Sequence, residues 1–80
     1  MNHTRVMKSV LLENEVKQSD LVKQLGLSSA VISSRINHEN ISVKAFLEML
    51  DVLGYELVVR KLNDEYKRGE YPIRLADYQE

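Results

Sequence analysis

The side chains best equipped for chemistry in this chain are two histidines, His3 and His38, and a run of hydroxyl and amide groups between Gln18 and Asn37. Spacing assembles no catalytic or metal set around either histidine. His38-Glu39 lacks a second histidine four residues on, which would put two imidazoles on one helical face, and His3 stands in a terminal stretch expected to be mobile. Both are read as surface residues. The absence of cysteine removes thiolate nucleophiles, thiolate metal sites and disulfides together, and there is no glycine-rich phosphate loop. No metal or cofactor is therefore expected, and a binding module is favoured over an enzyme. What remains is QSDLVKQLGLSSAVISSRIN, residues 18–37, whose serines, Arg35 and Asn37 can make hydrogen bonds to a polar partner.

The elements that would position these groups follow from hydrophobic spacing. Val6, Met7, Val10 and Leu11 form one buried stripe of a first helix from Arg5 to Glu13. Leu21, Val22 and Leu25 form that of a second, which starts near Gln18 and ends at Gly26. Leu27 before Ser28, with Ile32 four residues inside, is a hydrophobic staple that starts a third helix at Ser28 and carries it to about Asn37. Ile41, Ser42 and Phe46 repeat the device for a fourth helix, which Gly54 stops.

Helices two and three, joined at Gly26, have the spacing of a helix-turn-helix. In that arrangement the second helix packs across the third, whose N-terminal part enters a DNA major groove. Leu21, Leu25, Leu27, Ile32 and Ile36 would hold the pair together and leave Ser29, Ala30, Ser33 and Ser34 facing outward, with Arg35 and Lys44 as candidates for phosphate contact. Residues 5–54 resemble the lambda-repressor/Cro-like (XRE) family in Gln18, Leu21, the Leu25-Gly26-Leu27-Ser28 turn and the ending from Ile32 to Asn37. The resemblance implies backbone contacts from Gln18 and Asn37 and base-facing positions at Ser29, Ala30, Ser33 and Ser34, with Ser28 at the helix start. Two departures stand out: Lys17 occupies the position where the family often has a Thr or Ser cap, and the third helix lacks long Gln or Asn readers.

Beyond Gly54, YELVVRKL fits both a helical period and alternation, and its shortness, adjacent valines and preceding glycine favour a strand. Tyr71 to Leu75 would return as a second short strand at a sheet edge because of Pro72, and 76–80 would be frayed. The fold class expected is thus mainly α: a lambda-repressor-like bundle of about four helices (1–54) with a C-terminal β-strand or hairpin (55–80). An unpaired edge would leave Tyr55, Leu57, Val58 and Val59 seeking the same strand of a second protomer, so the arm is read as the dimerisation element.

Eighty residues with 44% hydrophobic content suffice for one small core, and no apolar run is longer than Val10-Leu11-Leu12, too short for a signal or membrane segment. A soluble, cytoplasmic chain is expected. Its net charge of −1 is divided unevenly. Residues 1–45 hold six basic against four acidic residues, a surplus of +2, whereas 46–80 hold five against eight, −3, so only the N-terminal half can present a basic face. The leading expectation is a repressor-like regulator binding double-stranded DNA at a short palindromic operator as a homodimer. The alternative is a protein-interaction module, most concretely an antitoxin with a toxin partner, since LGYELVVRK looks like the segment that follows the helical domain in HipB-like antitoxins.

Overall fold

The computed structural model describes residues 1–79, which fold into four helices followed by a long irregular arm. Helix α1 spans His3–Glu13, α2 Gln18–Leu25, α3 Ser29–Asn37 and α4 Val43–Val52. Local chemistry fixes their ends. Asn2 caps α1, its side-chain oxygen accepting from the Arg5 amide at 2.9 Å, so the helix begins two residues earlier than the apolar stripe alone suggests. Ser28 Oγ accepts from the Val31 amide at 3.2 Å, and Ser42 Oγ from the Ala45 amide at 3.0 Å; each serine is an N-cap rather than the first helical residue. Lys17, at the start of α2, offers no acceptor, and that turn is closed from the other side: Asp20 Oδ2 accepts from the Lys17 amide at 2.9 Å.

The core is one cluster shared by all four helices: Val6, Met7, Val10 and Leu11 of α1, Leu21 of α2, Ile32 and Ile36 of α3, and Phe46, Met49 and Leu50 of α4. Leu25 and Leu27 are half-buried against it. Helix α3 packs on both α1 and α2, and α2 also packs on α4. No described helix is long and apolar enough to cross a membrane.

The arm departs from the sequence expectation. Among the described residues there is no β-strand: 55–62 and 71–74 run without regular structure, and Leu75–Tyr78 forms a 3-10 turn instead of continuing a hairpin. The expected returning segment is committed elsewhere. Tyr71 packs against Tyr55 with ring centroids 6.4 Å apart, the Pro72 carbonyl accepts from the Met1 ammonium at 2.7 Å, and the Arg74 amide donates to Asp77 Oδ2 at 2.7 Å. Pro72 also has no N–H for a ladder, and among the described residues 55–62 has no strand partner, although Tyr55 meets Tyr71. The loop between is gathered by Arg74, which donates to the Asn63 carbonyl at 2.9 Å and to the Tyr66 hydroxyl, while Arg60 lies 4.6 Å from the Tyr66 ring centre. Residues 76–79, expected to fray, include the turn that returns to the N-terminus; Glu80 lies outside the described residues.

Two predictions follow from this packing. Ile32→Ala should destabilise the chain by about 2–4 kcal/mol through a core cavity, measured by urea unfolding. The second concerns Asp77, whose carboxyl is held below the ordinary carboxylate range by the hydrogen bond from the Met1 ammonium and then by the Arg74 amide. A depressed value in the folded chain means that this contact contributes above the unfolded value of about 3.9 and is lost as pH falls through the folded one. Nuclear Overhauser contacts between Met1 and Pro72 should therefore weaken on acidification below about pH 4. In Asp77→Asn they should be weaker throughout and show no such acid step.

Candidate nucleic-acid interface

The turn between α2 and α3 depends on Gly26, which ends α2 with φ 65° and ψ 29° and donates its N–H to the Val22 carbonyl at 3.0 Å. An L side chain there would be strained by the left-handed backbone, although the space around a Cβ is open. Three residues after α2 the chain is helical again, with the rear of α3 seated in the core through Ile32 and Ile36, neither of which has exposed surface.

That burial sets the rotation of α3 and hence its outward face. Ser29, Ala30, Ser33, Ser34 and Asn37 are all exposed. The Asn37 amide nitrogen donates to the Ser33 carbonyl at 2.9 Å and to Ser33 Oγ at 3.3 Å, coupling two of the expected contact residues and leaving the Asn37 carbonyl oxygen free to accept. Val31 joins this face, 41% exposed, and was missed in the sequence reading; one position before buried Ile32 and three before Ser34, its helical phase could have found it. With Ala30 it gives the face a methyl-bearing patch of the kind that can meet a thymine methyl.

Arg35 sits on the flank of α3 nearest α4. Its guanidinium is half-buried and ion-paired with Glu48 Oε1 at 3.3 Å, a partner on α4 that α3 spacing gives no hint of. Beside it a shallow polar concavity of about 300 Å³ brings Ser34 and Arg35 together with His38, Asn40 and Ser42 between the end of α3 and the start of α4. Lys44 is exposed in the first turn of α4, two residues beyond Ser42. Gln18 is exposed at the first position of α2, and Ser28 serves as the α3 cap described above.

The far end of α3 is held by the N-terminal turn of α1. Thr4 Oγ1 donates to the Ile36 carbonyl at 2.6 Å, and His3 Nε2 lies 2.7 Å from the His38 carbonyl. His3 is thus neither mobile nor a surface residue: it is 3% exposed, the one buried polar side chain among the described residues. Its ring lies nearly parallel to that of Tyr78, with centroids 5.7 Å apart, and meets Phe46 edge-on at 6.3 Å. Sequence spacing could not reveal this, because the partners are 75 and 35 residues away. His38 remains exposed, its Nδ1 accepting from the Asn40 amide at 3.1 Å.

The residues expected to mediate dimerisation stand apart from this interface, on the arm. Tyr55 is half-buried and its hydroxyl accepts from Asn14 Nδ2 at 2.9 Å, whereas Leu57, Val58 and Val59 are exposed. Together they border an open groove of about 610 Å³ whose floor includes Val6, Val10, Phe46 and Leu50. Among the described residues no group of three or more His, Asp or Glu could hold a metal ion. Comparison of the chain with protein-family models, with curated proteins and with solved structures finds no match in any of the three.

Proposed function

We propose that this chain is a sequence-specific DNA-binding regulator of the lambda-repressor/Cro-like type, acting as a repressor at a short palindromic operator. One observation carries the reading. A short helix and a second helix are joined by a left-handed glycine, and the second buries its rear completely while turning outward a face of short hydrogen-bonding and methyl-bearing side chains. This is the division of labour a recognition helix needs: apolar groups fix its pose, and nothing long on the other face keeps it from the floor of a major groove. In this reading Ser29, Ala30, Val31, Ser33 and Ser34 meet base edges. Gln18, Ser28, Asn37, Arg35 and Lys44 meet the backbone, Arg35 after sharing its charge with Glu48.

The arm supports a homodimer. It exposes Leu57, Val58 and Val59 in succession and Leu62 beyond Arg60 and Lys61, apolar side chains that a second copy could cover. The stretch from Glu56 to Lys61 has an acid at one end and two bases at the other. Two copies related by a two-fold axis near Val58 and Val59 therefore bring Glu56 of each against Arg60 and Lys61 of the other. Such a pairing would suit two recognition helices set about 34 Å apart, one turn of B-DNA. The same exposed stretch is what favours the second reading, an antitoxin whose arm is covered by a toxin.

For the intact dimer, log affinity for operator DNA should fall with log salt at a slope of about −4 to −7, and Lys44→Ala should weaken binding to all sequences alike. Ser34→Tyr should change operator preference while shifting stability by less than about 0.5 kcal/mol. No binding to a random-sequence DNA library at low salt would defeat the reading. In sedimentation the wild type should run as a dimer at micromolar concentration and Val58→Lys as a monomer. A monomeric wild type that becomes a stable heteromer in its host would favour the antitoxin reading instead.

A further inference from the structure

We propose that His3, held by Tyr78, is a positioning residue for α3, so that the last turn of the arm sets the end of the outward-facing helix. For the neutral imidazole the hydrogen bonds leave one assignment of protons. The His38 carbonyl can only accept, so His3 Nε2, 2.7 Å away, carries a hydrogen. With Nε2 carrying the hydrogen, Nδ1 of the neutral ring can only accept, so the Tyr78 hydroxyl, which itself accepts from the His3 backbone N–H at 2.8 Å, donates to Nδ1 at 2.6 Å. Tyr78 therefore selects the Nε2–H tautomer by donating to the other nitrogen, the way a partner group sets the tautomer of a ligating histidine.

The acceptor at the other end of this relay matters because of where it lies. His38 is the C-cap of α3 and donates its own N–H to the Ser34 carbonyl at 2.8 Å, so its peptide group belongs to the last turn that carries Ser34 and Asn37. Without a donor from His3, that carbonyl, in a part-buried contact, loses the ordered partner that fixes it and is left to solvent. The neighbouring bond from Thr4 to the Ile36 carbonyl is independent of Tyr78 and keeps α3 attached to α1, so losing the relay loosens the final turn without releasing the helix. The arm and the last turn of α3 are thereby joined through one buried ring. The consequence for DNA affinity rests on the regulator reading above; the proton arrangement does not.

The test uses the full chain with histidine nitrogens labelled. In the free wild type His3 should appear as the Nε2–H tautomer. Tyr78→Phe keeps the ring but removes both the donor to Nδ1 and the acceptor of the His3 backbone N–H, and should move His3 toward a tautomeric mixture and speed hydrogen exchange of the His38 amide by about 3- to 10-fold. Exchange in α2 should change less than about twofold. His3→Gln carries an amide donor toward the His38 carbonyl that needs no help from Tyr78, so adding Tyr78→Phe to it should leave His38 exchange unchanged. On operator DNA, Tyr78→Phe should weaken affinity by a similar factor at an unaltered salt slope, since no phosphate contact is removed. A wild-type ring found as the Nδ1–H tautomer overturns the proposal. So does a Tyr78→Phe chain with wild-type tautomer and exchange. Absence of DNA binding by the wild type defeats the regulator reading alone, and the tautomer and exchange results still decide the role of His3.

Discussion

The burial of Ile32 and Ile36 is the constraint on which the rest of the molecule depends. Four residues apart on α3, they lie one turn above the other and reach the same cluster as Met7, Leu21 and Met49. Each contributes about 1.5–3 kcal/mol through removal from water, but their larger effect is geometrical. With 3.6 residues per turn, pinning these two decides which way every other α3 side chain points: Ala30, Ser33, Ser34 and Asn37 outward, Arg35 toward α4. The Gly26 turn and the Thr4 and His3 contacts act on a helix whose rotation the core has already set.

The charge at one candidate phosphate contact is partly spent inside the molecule. The chain is close to neutral, and Arg35 shares its charge with Glu48 on the face where a phosphate would approach. A partly exposed pair of this kind is worth little to stability, but it lowers the potential the guanidinium presents to an anion. In the proposed complex Arg35 would therefore add less to sequence-independent attraction than an unpaired arginine, which places more of the proposed discrimination on fit in the groove and on DNA shape.

What was legible in the sequence were features decided within a few residues. Ser28 and Ser42 announce helix starts because a hydroxyl three residues before an amide is a local event, and Gly26 and Gly54 mark ends because positive φ is a single-residue property. The arm was misread for the complementary reason. Alternation in YELVVRKL expresses a capacity to pair, whereas a strand needs a neighbour, and the candidate neighbour is occupied by Met1 and Asp77 instead. Glu48 beside Arg35 and Tyr78 beside His3 were hidden likewise, since pairs 13 and 75 residues apart leave no periodic trace.

The outward face of α3 has a further consequence in terms of conformational entropy. Ser29, Ala30, Val31, Ser33 and Ser34 each have one side-chain torsion or none between heavy atoms, where Gln, Arg or Lys would have three to five, and Asn37, with two, is tied to Ser33. Ordering a long side chain at an interface costs about 0.5–1.5 kcal/mol, and alanine has no rotamer freedom to lose. Val31 is stiff already, because branching at Cβ inside a helix leaves it essentially one rotamer. The free protein therefore already presents this surface in nearly the shape it would have against a partner. Recognition through it would resemble the meeting of two preformed solids more than the closing of flexible fingers, with little reorganisation separating encounter from final fit.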